Sequence, residues 1–156
     1  MKLPKAPRTA PAVIGWREAV SLPGLGVVRI RAKIDTGART SSLHAENVEL
    51  FERDGVHWVR FRVPQDGARG PIVCEAPHVE RRSITSSTGH KVERLIIKTE
   101  MQLGDAVFPA EIGLADRAYM GFPMLVGRTA LRKRFLVNPE RSFMLESQNR
   151  RRGTGK

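Results

Sequence analysis

A single cysteine, Cys74, leaves the chain without an internal disulfide or a thiolate metal cluster, and the setting expected for it is the reducing one of the cytoplasm. No apolar run approaches the about 18 residues that a membrane helix needs, so no membrane association is expected. Residues 1–8 are basic, but no apolar segment follows them, and a secretory signal is not expected. Aromatic residues make up only 6%, with Trp16, Trp58 and Tyr119 in apolar or strand contexts, which leaves few platforms for stacking nucleic-acid bases. There is no His-Glu-x-x-His pair for zinc and no glycine-rich loop ending in Gly-Lys-Ser/Thr for ATP phosphates. His44, His57, His78 and His90 are scattered, without ligand spacing, and are expected to be surface or hydrogen-bonded histidines. Zinc and ATP are therefore not expected as cofactors.

What is present is positive charge. The 156 residues carry a net charge of +11, but its location weakens a nucleic-acid reading. Lys2, Lys5, Arg8, Arg150, Arg151, Arg152 and Lys156 lie in terminal segments that hold no acid, and the remainder carries 20 basic against 16 acidic residues, a net +4. The expected organisation is a flexible basic arm over 1–12, one folded domain over 13–146 and a basic, disordered tail over 147–156. A basic RNA- or ribosome-binding protein is the weakest of the function classes considered.

Residues 27–34 alternate strictly, with Val28, Ile30, Ala32 and Ile34 on one face and Arg29, Arg31 and Lys33 on the other. This period of two predicts a half-buried strand. Shorter runs predict strands over 48–51, 56–63, 72–75, 91–99, 107–114, 124–126, 135–137 and 142–145. Asp54-Gly55 is expected to join two of them as a tight hairpin, Ser86-Ser87-Thr88-Gly89 to tip a second, and Leu103-Gly104-Asp105 to form a third turn. Only 129–134 has helical character. Many short strands with turn punctuation predict an all-β sandwich or barrel, and no second half repeats the first.

Chemistry concentrates where the alternating strand ends, in Asp35-Thr36-Gly37-Ala38: a carboxylate followed by a glycine that lets the backbone turn sharply. Later, Pro123-Met-Leu-Val-Gly-Arg128 gives an apolar strand and a Gly-Arg before the short helix. Together these segments resemble the retroviral-type aspartic proteases. A closer resemblance spans nearly the whole chain, through 13–18, Leu22-Pro23, 33–44, 59–61, 86–90, Asp116-Arg117, Met120, 123–128 and 135–139. These motifs, in this order, resemble a bacterial retropepsin-like family of aspartic endopeptidases, long labelled as ATP-dependent zinc proteases.

The resemblance implies a retroviral-type closed barrel over 13–146 with a flap hairpin and one short C-terminal helix. It implies peptide-bond hydrolysis by a dimer in which Asp35 is the catalytic aspartate, because the chain offers one Asp-Thr-Gly and two carboxylates are needed. It further implies that Thr36, Gly37 and Ala38 form the active-site loop, and that Gly127 and Arg128 support it. A hairpin over 84–92, tipped by Ser86, Ser87, Thr88 and Gly89, is the flap expected to cover substrate. The retroviral enzymes usually carry an acid where this chain has Arg39, and Asp or Asn where it has Thr129, so the partner of Arg128 has to lie elsewhere. Arg39, Arg81 and Arg82 are expected to rim the cleft, and such a rim favours acidic peptides. The family is associated with glutamate-adding ligases, which implies glutamylated substrates or a ligase partner. The alternative is a non-catalytic binding module of the same fold that docks acidic partners, such as a glutamate ligase or a ribosomal protein.

Overall fold

The structure, a computed structural model, describes residues 10–65, 69–86 and 88–146. The expected arm and tail, apart from residues 10–12, and Ser87 of the expected flap tip lie outside these. Eleven strands follow in order: β1 (Ala12–Gly15), β2 (Arg17–Leu22), β3 (Val27–Ile34), β4 (Ser41–His44), β5 (Glu46–Arg53), β6 (Val56–Val63), β7 (Ile72–Thr85), β8 (Lys91–Leu103), β9 (Ala106–Ala115), β10 (Met124–Val126) and β11 (Phe135–Asn138). A 3₁₀ turn (Pro23–Leu25) lies between β2 and β3, and a short helix, α1 (Arg128–Leu131), between β10 and β11. The all-β class and the short C-terminal helix agree with the sequence.

Nine strands form one sheet in the order β2-β3-β10-β4-β9-β8-β7-β6-β5, and β2 also pairs with β8 through Ser21 and Gln102. That extra pairing closes six strands into a barrel, from which β7, β6 and β5 extend. Inside it, alternate residues of each strand meet: Val20 and Leu22, Ile30 and Ala32, Leu43, Met101 and Leu103, Ile112, Met124 and Val126 are all essentially buried. Closure removes the open edges that would otherwise pair with other chains. The outer edge strand, β5, is protected instead by charge, through the pairs Arg62–Glu46 at 2.9 Å, Arg53–Glu75 at 3.0 Å and Arg60–Glu49 at 4.0 Å.

Two hairpins match their sequence signals closely. Asp54 (φ 52°) and Gly55 (φ 76°) both occupy the left-handed region, as a two-residue turn matched to strand twist requires. Gly104 (φ 60°) and Asp105 join β8 to β9 with Leu103 opposite Ala106. Other expectations need correction. Val28 is exposed, not inward, because a register shift between Val20 and Leu22 on β2 reverses the alternation there and turns Val27 inward instead. β7 and β8 run far beyond the apolar stretches, to 14 and 13 residues, because each keeps the other's backbone hydrogen-bonded where side chains are polar. The segment 142–145, expected as a strand, instead leads into a helical turn over 144–146.

The cause of that last correction is Glu18. Fully buried on β2, its carboxylate accepts the backbone N–H groups of Gly15 (2.7 Å), Met144 (2.9 Å) and Leu145 (3.2 Å). The C-terminal turn is thereby tied to the start of the domain. Cys74 is also buried, and burial pushes its thiol up to about 11. Since the thiolate is the nucleophile, alkylation by iodoacetamide at pH 8 is expected to be negligible in the native protein and complete within minutes in denaturant. Rapid native labelling followed by mass spectrometry would contradict that burial.

Candidate active site

Asp35 follows β3 directly and is partly buried. Its backbone N–H donates to the Val126 carbonyl (2.9 Å), which continues the parallel β3–β10 ladder by one rung and fixes where the carboxylate emerges. Oδ1 accepts the N–H groups of Gly37 (2.9 Å) and Ala38 (3.2 Å), folding 35–38 into a tight side-chain-closed turn. Among the described residues Oδ2 takes no hydrogen bond. One oxygen holds the loop, and the other takes no part in it.

The loop rests on the segment the sequence singled out. Ala38 and Arg39 carbonyls accept the N–H groups of Arg128 (2.7 Å) and Thr129 (3.2 Å), and the Thr129 hydroxyl donates to the Arg39 carbonyl at 2.8 Å. Arg128 Nη1 donates to the Gly37 carbonyl at 3.1 Å, so the arginine supports the loop through a main-chain oxygen and needs no acidic partner. Gly127 N–H donates to the Ser41 hydroxyl. A Cβ on Gly127 would stand 2.7 Å from the Thr40 carbonyl carbon, 2.9 Å from its oxygen and 3.0 Å from the Ala38 oxygen. All three are backbone, which cannot swing aside. Gly127→Ala is expected to cost about 1–3 kcal/mol and to lower Tm by roughly 3–10 °C in a calorimetric scan.

The β7–β8 hairpin projects past the barrel, its tip closed by Ser86 N–H to the His90 carbonyl and Gly89 N–H to the Ser86 carbonyl, with Gly89 at φ 85°. The Ser86 and Thr88 hydroxyls lie 2.8 Å apart. The three expected rim arginines do not gather. Arg39 and Arg82 line one pocket with Lys98 and Glu111, but Arg82 is already paired with Glu80 and, at 3.2 Å, with Glu111. The hydrogen bond from Glu80 and then that from Glu111 push Arg82 further toward the charged form, while desolvation opposes them. Arg81 is exposed and points to the opposite sheet face, since neighbours in a strand alternate.

The sequence reading assigned no role to the loop over 116–123, which joins β9 to β10 and lines a pocket with Arg31 and His44. Its Arg117 N–H donates to His44 Nδ1 at 2.8 Å, so the His44 proton sits on Nε2, which bonds Glu46 at 3.1 Å. That bond, followed by the one from Arg62, lowers the pKa of Glu46. The Arg117 side chain donates through Nε to the Phe122 carbonyl at 3.2 Å, and Phe122 in turn packs edge-on against Trp16. Burial pushes Arg117 down from the usual guanidinium range, the Asp35 carboxylate acts against this, and Arg94 adds to it. The three charges therefore share one field. The signal available in the sequence was the charged pair Asp116-Arg117 directly after a buried strand. Among the described residues, no group of three or more His, Cys, Asp or Glu is placed to hold a metal ion. None of their helices is long and apolar enough to cross a membrane.

A closed barrel with an Asp-Thr-Gly turn braced by a Gly-Arg strand end defines the retropepsin-like class of domain. Residues 13–148 match the model of the RimB-like family, described as retropepsin-like aspartic endopeptidase RimB, and the chain belongs to that family. Among solved structures it is similar to the Legionella pneumophila protein Lpg0085, described as of unknown function, with a TM-score of 0.75 and 30% identity over 86% of this chain and 98% of that one. Curated relatives include proteins named "Probable alpha-L-glutamate ligase" from Shewanella halifaxensis, 42% identical over 88% of this chain, and from Desulfotalea psychrophila, 41% identical over 83%. The chain spans about 30% of the length of the first and 28% of the second.

Proposed function

We propose that this protein is an aspartic endopeptidase that hydrolyses peptide bonds in acidic, glutamate-rich stretches, with Asp35 of two copies forming the catalytic pair. The observation that carries the reading is the Asp35 turn, in which Oδ1 is consumed by two loop N–H groups and Oδ2 has no hydrogen-bond partner among the described residues, on a loop braced from below. A lone carboxylate can polarise water or donate to a carbonyl, but not both at once. Two carboxylates about 3 Å apart cannot both ionise and so share one proton. The ionised member takes a proton from water as the water attacks the peptide carbonyl, while the protonated member hydrogen-bonds the carbonyl oxygen. The flap hairpin supplies backbone groups over an extended substrate.

Glutamate-rich substrates are supported by Arg117, which shares the field of Asp35 with Arg94, by Arg39 and Lys98 in a separate pocket bordered by Thr129, and by the ligase names of the curated relatives. The same names support association with a glutamate ligase, and the one cysteine, Cys74, free and buried, is compatible with a reducing, cytoplasmic setting. Neither zinc nor ATP enters this mechanism. The test is direct: purified protein is incubated with a protein bearing an oligoglutamate tail and sedimented in parallel. Cleavage insensitive to EDTA by a dimer supports the reading. A monomer that binds the tail without cutting it would instead favour the binding-module alternative, and cleavage lost on chelation would overturn the assignment.

A further inference from the structure

Five arginines of the body pair with glutamates: Arg29 with Glu146, Arg53 and Arg60 with Glu75, Arg62 with Glu46 and Arg82 with Glu80 and Glu111. Arg117 is different. It is partly buried, yet among the described residues it forms no ion pair with any carboxylate. Only Nε is engaged, by the Phe122 carbonyl, which orients the guanidinium plane and leaves Nη1 and Nη2 without hydrogen-bond partners among those residues. Nη1 and Nη2 are not among the buried polar atoms that lack a partner, so they remain open to solvent or to an acidic ligand.

The group is also held rigidly. His44 fixes the Arg117 main chain and donates its own N–H to the Pro123 carbonyl at 2.7 Å, while Met120 N–H donates to the Arg117 carbonyl at 3.0 Å. Both ends of the loop are thus anchored to β4. Arg94, which lies on the sheet face that also carries Ile84 and Ile96 toward Gly113, likewise has no ion pair among the described residues and adds positive potential opposite. A pre-oriented guanidinium with two free terminal nitrogens matches the geometry of a carboxylate, which it can grip with two parallel hydrogen bonds.

We propose that Arg117 is a specificity-determining residue that binds the side-chain carboxylate of an acidic residue close to the scissile bond of the peptide held at Asp35. The closeness to the scissile bond rests on the peptidase reading, whereas carboxylate recognition by Arg117 does not. Glutamate rather than a free chain end is selected, so blocked peptides serve as probes.

The experiment uses the full chain and an acetylated, amidated ten-residue oligoglutamate peptide, together with ten versions each carrying one Glu→Gln change. Binding is read by fluorescence anisotropy on Asp35→Asn, with and without Arg117→Gln, and cleavage is read on the Asp35 protein. Arg117→Gln is expected to weaken oligoglutamate binding about 10- to 100-fold. At one peptide position, Glu→Gln should cost the same and add nothing further in the Arg117→Gln background, and Arg117→Lys should recover part of the affinity. Losses that multiply at every position, or equal weakening toward an all-glutamine peptide with a lowered Tm, would show a merely structural role and overturn the proposal. Failure of the oligoglutamate peptide to bind at all would also overturn it. Arg117-dependent binding without cleavage would remove the peptidase reading and leave the carboxylate site standing. Cleavage with binding indifferent to Arg117→Gln would do the reverse.

Discussion

Asp35→Asn is expected to lower kcat/KM toward oligoglutamate substrates by about 10⁴-fold or more, with the fold intact. The asparagine side-chain oxygen can still accept the Gly37 and Ala38 N–H groups that Oδ1 now holds, so the loop has no reason to move. What is lost is the ionisable oxygen, and with it any means of taking the proton from water. Mixing sharpens the test. If a working site needs one carboxylate from each copy, an equimolar mixture of exchanging wild-type and variant subunits retains roughly a quarter of the activity of the same total concentration of wild type, since only wild-type pairs work. A self-sufficient subunit would retain half. An active Asp35→Asn protein would remove Asp35 from the chemistry altogether.

The second large effect concerns stability. Glu18→Ala is expected to cost about 3–5 kcal/mol, because it strands three backbone N–H groups and leaves a void in a site closed to water. For a chain of this size, the loss corresponds to a fall in Tm of roughly 6–20 °C, measurable by calorimetry or circular dichroism. Glu18→Gln keeps the volume but presents an NH₂ group to donors, and should recover little of the loss. The damage should spread to the C-terminal turn, so hydrogen exchange at Met144 and Leu145 is expected to accelerate before global unfolding. An unchanged melting temperature would mean that the buried carboxylate is not what ties the turn to β2.

Glu18 also shows why a strand was expected at 142–145. Ser142, Phe143, Met144 and Leu145 have the composition of a short strand, but the Met144 and Leu145 N–H groups are taken by a carboxylate 126 and 127 residues away. No local pattern encodes that. Arg81 and Arg82 teach the opposite lesson. Adjacent residues of a strand face opposite ways, so their separation follows from periodicity alone once β7 is known to extend through Thr85. Treating that stretch as the foot of a hairpin hid it, because its side chains are polar and its strand character comes from pairing with β8.

By itself the sequence determined what depends on nearest neighbours. Alternation set the faces of β6 and of the first half of β9; Asp54-Gly55 set a turn whose two positive φ values few other pairs accept; and Asp35-Thr36-Gly37 set a carboxylate at a strand end. Tertiary structure alone decided what depends on distant segments meeting. The β2–β8 pairing closed the barrel, the Gly37 carbonyl replaced the missing acid as the partner of Arg128, and the anchored loop carried Arg117 into the field of Asp35. Side-chain period and backbone sterics act over a few residues and are written in order along the chain. Closure, burial and charge proximity arise only when the chain has folded back on itself.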